Sequence, residues 1–520
     1  MTEGVGMDNN GGEMLWRPPP RRNTQKVSHM LAGDLRRQIL NGHLATDQQL
    51  PSEADLTAAL QVSRETLREA LRILESQQLV EIKRGRGGGA VVRRPGLEAV
   101  GQYVALLLQL RNTTVADLEE ARSVIEPPAA AWVADRADER DLERLVDLHD
   151  AERAAQDNPL EFVAAMSAFD QAVTELSGNQ TLAVIAGVFR DIYAGQVYSM
   201  IGGTDGTSAE QIARRVVVSH SAFIDAVRRH DMSLAHSTWS DYLFTTGRIL
   251  VRRNISRQPI DITPLWRAQA GRAGAEPAPR RALVVATEIR ARIAEGLLRE
   301  GDRLPPLADL AQEFDISRPT LREALRILEM EFLLDLRTGD RAGATIRLPS
   351  TRVASQLAGI VLEARGATLF DFLQALRVIE PTIIGLSASR IGAKKLDTLR
   401  SAEAQLAAST EDTARFVTTW REAEMVAFSA AKNPALTVIA EMTHWVRVGV
   451  EPTVTADAKG LPWVSKTNRR AQTLFAQFVA AAAERDVARA TQAWSDHLAI
   501  AAVWFEESGV GKRLMLEVMD

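Results

Sequence analysis

The sequence predicts a mainly α protein made of two copies of one unit. Each copy is a small three-helix domain closed by a β-hairpin and followed by an all-α helical bundle. Three observations predict this. The chain repeats itself at a fixed offset, apolar residues recur at helical spacing through most of each copy, and strand-like alternation gathers around short glycine-rich stretches.

The repeat comes first. Val62-Ser-Arg-Glu-Thr-Leu-Arg-Glu-Ala-Leu-Arg-Ile-Leu-Glu75 recurs as Ile316-Ser-Arg-Pro-Thr-Leu-Arg-Glu-Ala-Leu-Arg-Ile-Leu-Glu329, with 12 of 14 positions identical at an offset of 254 residues. The same offset carries Ile125-Glu126-Pro127 onto Ile379-Glu380-Pro381 and Asn179 onto Asn433. Near the end it grows by one residue, so that Trp239-Ser-Asp-Tyr-Leu243 maps onto Trp494-Ser-Asp-His-Leu498. A tandem duplication with one single-residue insertion accounts for all of these matches. The period is far too long for a solenoid, so each copy is a multidomain unit.

Boundaries follow from composition. Residues 1–25 are Gly/Asn-rich and then Pro/Arg-rich, and are expected to form a disordered arm. The small domains are expected at 26–95 and 281–349, and the helical bundles at 96–255 and 350–510. Residues 256–280 carry Pro, Gly, Ala and Arg without apolar periodicity and read as the linker between copies.

Composition removes several classes. At 520 residues the chain exceeds one core, since domains run to roughly 100–200 residues. Cysteine is absent, which excludes disulfides, a cysteine nucleophile and thiolate zinc sites. No segment approaches the roughly 18–20 apolar residues of a membrane span, and Met1 to Gly12 is polar and acidic rather than a signal peptide. No membrane partner is therefore expected, and the expected location is cytoplasmic. The net charge of −5 argues against a generally basic surface and leaves only local basic faces.

The front of the first copy has such a face. Val27, Leu31, Leu35 and Ile39 predict a first helix over Val27 to Leu44. Ser52 is placed to cap a short second helix, with Asp55 at capping-box spacing. Ser63 caps a third helix, in which Leu67, Ala70, Leu71 and Leu74 form the buried stripe and Arg64, Arg68 and Arg72 a polar stripe beside it. Val80-Glu-Ile-Lys-Arg84, Gly85-Arg-Gly-Gly-Gly89 and Ala90-Val-Val92 then read as strand, glycine turn and strand. A phosphate-cradling loop would need a helix after the glycines, and a valine strand follows instead.

Two capped helices in succession project the N-terminal turn of the second outward, where it fits a major groove about 12 Å wide. Arg64 and Arg68 can reach guanine edges or phosphates, and Thr66 a phosphate or a thymine methyl. Arg84 and Arg86 on the hairpin can reach backbone or minor groove. Three arginines on one helix are ordinarily a solvated face; the whole arrangement, found twice, carries the reading of a winged helix-turn-helix.

These motifs, from Leu50-Pro-Ser-Glu through Gly85-Arg-Gly, resemble the DNA-binding domain of GntR-family bacterial regulators. The resemblance implies binding of a double-stranded operator as a two-fold dimer. It implies contacts from Ser63, Arg64, Thr66, Arg68, Arg84, Arg86 and Gly87. Ala54 stands where the family has a further arginine. The second copy retains Ser317, Arg318, Thr320 and Arg322, with Arg337 and Arg341 on its wing. Pro319 is tolerated in a first helical turn. However, Leu304-Pro-Pro-Leu307 has lost the capping serine, and Asp340 beside Arg341 repels phosphate. The second domain is therefore expected to bind DNA more weakly.

Behind each front the pattern is helical, as over Val115–Ala134, Glu139–Ala155, Glu161–Leu176 and Ile212–Arg229. Arg122-Ser-Val-Ile-Glu126-Pro127, Phe169, Ser177-Gly-Asn179, His220 and Trp239 resemble, in order, the landmarks of the FCD domain, the ligand-binding bundle of the FadR branch. Many members hold a divalent metal with aspartate and histidines. The corresponding positions here are Met166, Asp170, His220 and Tyr242 in one copy and Trp420, Glu424, Phe475 and His497 in the other. Both sets are degenerate, so no metal or other cofactor is expected.

A small organic effector of carboxylate type is the expected ligand, with Arg122, Asp170 and His220 as its residues. Arg122 has a second reading, a structural ion pair with Glu119 or Glu126. Its counterpart is Leu376, which makes the second pocket look vestigial. The resemblance also implies a repressor released by its effector. The duplication implies an intramolecular pseudo-dimer, and it leaves room for further homodimerisation. No catalytic spacing appears, so no enzyme is expected. The rival reading is a ligand-responsive interaction protein that has lost DNA binding; the intact Arg64 and Arg68 argue against it.

Overall fold

The computed structural model describes residues 27–76, 79–83, 89–93, 96–201, 206–252, 257–263, 277–336, 344–458, 463–508 and 512. In the first copy, α1 (Val27–Leu40), α2 (Glu53–Leu60) and α3 (Arg64–Ser76) precede the antiparallel hairpin of β1 (Val80–Lys83) and β2 (Gly89–Val92). A bundle follows: α4 (Leu97–Leu110), α5 (Val115–Arg136), α6 (Glu139–Ala154), α7 (Pro159–Leu176), α8 (Gln180–Ile201), α9 (Gly206–Arg228) and α10 (Met232–Arg252).

The second copy repeats this order. Its winged domain has α11 (Pro277–Ala294), α12 (Leu307–Glu313) and α13 (Arg318–Met330), then β3 (Leu334–Leu336) paired with β4 (Ala344–Ile346). Its bundle has α14 (Thr351–Ala364), α15 (Leu369–Arg390), α16 (Ala393–Ala407), α17 (Thr413–Ser429), α18 (Pro434–Ala458), α19 (Trp463–Glu484) and α20 (Val487–Ser508). The mainly α class, with a winged helix-turn-helix before each bundle, is what the periodicity predicts.

Local chemistry sets the helix starts. Thr114 and Asp117 form a capping box at α5, and Thr368 and Asp371 form its copy at α15. Each satisfies two backbone N–H groups that the helix itself cannot. Helix α1 stops at Leu40, short of the predicted Leu44, because the chain turns at Gly42 with φ +82°, while Leu44 still folds back into the core.

The stretch 256–280 is only partly a linker. Ile260 N–H donates to the Thr113 carbonyl at 2.9 Å, and Asp261 exchanges backbone bonds with the Gln196 amide at 3.0 and 3.1 Å. Ile260 and Ile262 are buried there. Two isoleucines are too few to register as periodicity, yet they anchor the segment to the first bundle. Helix α11 begins at Pro277, inside the expected linker. Residues 1–25 of the expected arm lie outside the described residues.

The two copies pack about a pseudo-two-fold axis, with α4, α5 and α8 facing α14, α15 and α18. Asn179 Nδ2 donates to the Asp371 carbonyl at 2.8 Å, and Asn433 Nδ2 donates to the Asp117 carbonyl at 3.0 Å. Each asparagine also accepts, through Oδ1, from the backbone of Leu182 or Leu436 at the start of its own helix. The contact is isologous, the kind a symmetric dimer makes between two chains.

Candidate nucleic-acid interface and buried ion clusters

In the first winged domain Ser52 Oγ accepts from Asp55 N–H at 3.2 Å, and Gln61 turns the chain with φ +51°. Ser63 Oγ accepts from Thr66 N–H at 3.0 Å and lies 2.8 Å from Thr66 Oγ1. Leu67, Ala70, Leu71 and Leu74 are buried, so Arg64, Arg68 and Arg72 stand in solvent. Arg68 is already occupied: its Nε donates to Glu53 Oε2 at 3.0 Å across the two helices.

The second winged domain keeps this frame with less support. Ser317 Oγ accepts from Thr320 N–H at 3.3 Å, and Arg318 and Arg322 are exposed. Pro306 starts α12 with no side-chain cap, as the lost serine predicts. Leu307 replaces Glu53, so Arg322 has no acid at that position. The wing residues Arg84, Arg86, Gly87, Arg337 and Arg341, together with Asp340, lie outside the described residues.

The two winged domains touch through their third helices. Arg326 of α13 forms an ion pair with Glu75 of α3, and Ile82 N–H donates to the same Glu75 oxygen at 3.3 Å. Burial, with the neighbouring Glu75 carboxylate, pushes the Glu329 carboxyl above its ordinary range. The C-terminal halves of the two helices are thus joined, and their arginine-bearing N-terminal turns are left exposed.

Behind them, the first bundle encloses a cluster of charged groups. Arg122 Nε donates to Glu126 at 2.5 Å and Arg122 Nη2 to Asp170 at 2.9 Å, with all three side chains 2–3% exposed. Tyr242 OH donates to Asp170 Oδ2 at 3.1 Å and Trp239 Nε1 to Glu126 at 3.1 Å. His220 stacks on Phe169 with centroids 4.2 Å apart, and its Nδ1 meets both Glu152 oxygens at 2.9 and 3.0 Å. A ring nitrogen facing a carboxylate carries the proton. The other nitrogen, Nε2, lies 3.5 Å from Asp170 Oδ1 and makes no hydrogen bond among the described residues.

The cluster therefore brings together Arg122, Asp170 and His220, the three residues read from sequence. It also fixes the pairing of Arg122, whose donors go to Glu126 and Asp170. Burial pushes the Asp170 carboxyl up to about 6, against the pull of Arg122 and His220. Burial likewise opposes ionisation of Glu152, but His220 and His149 outweigh it and hold that carboxyl below its usual range. Among the described residues no group of three or more histidines and carboxylates has an arrangement that would hold a metal.

The second bundle keeps a buried cluster despite Leu376. Arg447, on α18, reaches Glu380 and also donates from Nη1 to Glu424 at 2.5 Å. Trp494 Nε1 donates to Glu380 at 2.9 Å, as Trp239 does to Glu126. His444 Nδ1 meets Glu424 at 3.2 Å. At the offset of 254, Arg447 corresponds to Tyr193, whose ring lies 4.6 Å from the Arg122 guanidinium. The guanidinium has changed helix while the carboxylates have stayed. At the metal-type positions, Trp420 stacks on His497 at 4.0 Å and packs on Phe475 at 5.3 Å.

Sequence reading missed Glu152, His149, Glu380, Arg447 and His444. His149 and Glu152 sit three residues apart on one face of α6, a usable signal. Arg447 had one only in the position-by-position comparison of the copies, where Arg122 gives way to Leu376 and Tyr193 to Arg447.

Comparison with known proteins agrees with this division. The model of bacterial regulatory proteins, gntR family, matches residues 28–89 and 281–343, and the FCD domain model matches 117–244 and 371–500. The HTH-type transcriptional repressor NanR of Cronobacter sakazakii is 26% identical over 256 residues, 48% of this chain and 94% of that protein. NanR of Escherichia coli K12 is 26% identical over 239 residues, 45% of this chain and 86% of that protein. Among solved structures, Streptococcus agalactiae GntR is 22% identical, covering 42% of this chain and 99% of that one with a TM-score of 0.34. E. coli McbR/YncC is 16% identical, covering 44% and 100% with a TM-score of 0.25. Nearly a whole relative thus fits within about half of this chain. With both models matched twice, in the order in which the fold repeats them, the chain belongs to the gntR family of bacterial regulatory proteins and carries an FCD domain behind each winged domain.

Proposed function

We propose that the chain is a sequence-specific DNA-binding transcriptional regulator, an effector-responsive repressor that works as an intramolecular pseudo-dimer on one operator. The observation that carries this is the Arg326–Glu75 pairing of the two third helices in their C-terminal halves. From Glu75 back to Arg64, α3 runs about 16 Å at 1.5 Å per residue. From Arg326 back to Arg318, α13 adds about 12 Å, so with the span of the ion pair itself the two N-terminal turns can stand about one turn of DNA apart, ~34 Å. Covalent linkage holds the second reader near the first at high effective concentration. Arg64, Thr66 and Arg68, with Arg318, Thr320 and Arg322, are the proposed contacts. The repressor names of the relatives support the sign of the response. The buried clusters around Arg122, Asp170 and His220, and around Arg447, are the proposed sensors. No helix of the described residues is long and apolar enough to cross a membrane, and the proposed place of work is the cytoplasm.

The test is fluorescence anisotropy of the purified protein on its own upstream DNA in a salt series. Tight binding that weakens steeply with salt, is abolished in Arg64→Ala and is reduced less in Arg318→Ala is the expected result. Binding no tighter than to random DNA, there and to every sequence selected from a random library, would overturn the proposal.

A further inference from the structure

Each winged domain rests on the bundle of the other copy. Ile360 of α14, a helix of the second bundle, is 5% exposed and belongs to the hydrophobic core of the first winged domain, with Leu31, Leu35 and Ile39 of α1. Ala364, one turn on, packs against the same core. Glu363 sits 3.6 Å from Arg36 of α1, with side-chain exposures of 1% and 11%. The mirror arrangement exists. Helix α4 contacts α11, Leu106 and Leu107 lie in the same continuous core as Ile289 and Ile293, and Gln109, the counterpart of Glu363, approaches the Ala294 carbonyl at 3.5 Å. Tyr103 of α4 accepts a bond from Ser350 N–H, at the hinge between the second winged domain and its own bundle, at 3.1 Å.

The helices that carry these contacts lie against the buried clusters. Helix α14 packs along α18, which carries His444 and Arg447, and the Arg352 guanidinium lies 5.4 Å from the Trp445 ring between them. In the first copy α4 packs along α8, whose Tyr193 lies under Arg122. Each of α4 and α14 is a rod about 20 Å long at 1.5 Å per residue. A shift at one end of such a rod is delivered whole at the other, because packed cores do not deform gradually.

We infer that control is crossed: the buried cluster of the second bundle governs the first winged domain through α14, and the cluster of the first bundle governs the second winged domain through α4. This rests on the bundles being sensors, and it adds which sensor addresses which reader. The two routes are unequal. The Arg447 side chain is 29% exposed against 3% for Arg122, so the second cluster is the one solvent reaches. It is wired to the winged domain that keeps the serine cap of its second helix, Ser52.

Hydrogen exchange followed by mass spectrometry on the full chain, without DNA, tests this. Arg447→Leu should speed exchange in α1 about tenfold and leave α11 unchanged, while Arg122→Leu should do the reverse. Either variant loosening the winged domain of its own copy, or both winged domains equally, would overturn the inference. Ile360→Ala guards against general unfolding, since it leaves the cluster intact. In its background Arg447→Leu should no longer alter α1; an undiminished effect would mean that α14 is not the route. Because no DNA is present, these outcomes are separate from whether the protein binds an operator.

Discussion

Asn179 and Asn433 each cap a helix of their own copy while donating across the pseudo-axis to the first turn of a helix of the other copy, α15 or α5. Asn433 Nδ2 also reaches Glu120 at 2.9 Å. One side chain thus serves both the fold of its bundle and the joint between bundles. Asn179→Ala should cost about 1–2 kcal/mol, and Asn433→Ala more, because it strips a donor from a carboxylate as well. Urea denaturation of the two variants gives the ranking; equal losses would contradict it.

The exchange of Arg122 and Tyr193 for Leu376 and Arg447 makes a sharper prediction. Arg122→Leu alone should cost about 3–5 kcal/mol, since it leaves Glu126 and Asp170 buried without their cation. Adding Tyr193→Arg, which copies the second bundle, should restore more than half of that loss. A double-mutant cycle measures the coupling, and additive losses would show that α8 cannot supply the guanidinium in this copy.

Arg68 spends its guanidinium on Glu53. A carboxylate beside the arginine-bearing turn also repels phosphate. Glu53→Gln should therefore tighten DNA binding several-fold at low salt, and the gain should shrink as salt rises, because exposed charges are screened over about 10 Å at 0.1 M. Anisotropy titrations at two ionic strengths check both points. Unchanged affinity would place Arg68 outside the contact.

The Glu380 carboxyl is pushed up to about 7, chiefly by burial, with Arg447 opposing and Glu424 adding to the rise. The native state then holds a proton that the unfolded chain has released, over the window from the ordinary carboxylate range to about 7. The stabilisation from that proton is complete at acid pH and is lost as pH rises through this window, by at most about 3 kcal/mol. Glu380→Gln should flatten that fall. Urea midpoints across the same pH range decide it, and a slope equal to the parent's would mean that another group sets it.

Much of this was legible because caps and stripes are local. Ser63 and Thr66 are three residues apart, and so are Ser52 and Asp55, so sequence spacing carries their hydrogen bonds. The buried clusters were legible only where a landmark pointed at them, as at Arg122, Asp170 and His220. Glu152 meets His220 across 68 residues of chain, and Arg447 meets Glu380 across 67, and no periodicity records such pairs. Ile260 and Ile262 were hidden for a different reason: a two-residue anchor leaves too little pattern to separate it from a linker.

The Arg390–Glu120 ion pair has no mirror image, because residue 374, where a second glutamate would stand opposite Arg136, is Gln374. In an assembly of two identical chains every mutation strikes both sides of the axis together, so neither side can change alone. Here one gene encodes the two faces separately, and each has drifted on its own while remaining tethered to the other. Dilution cannot part them. The halves are free to become unlike, and a pair of unlike halves has no reason to demand a palindrome of whatever it grips.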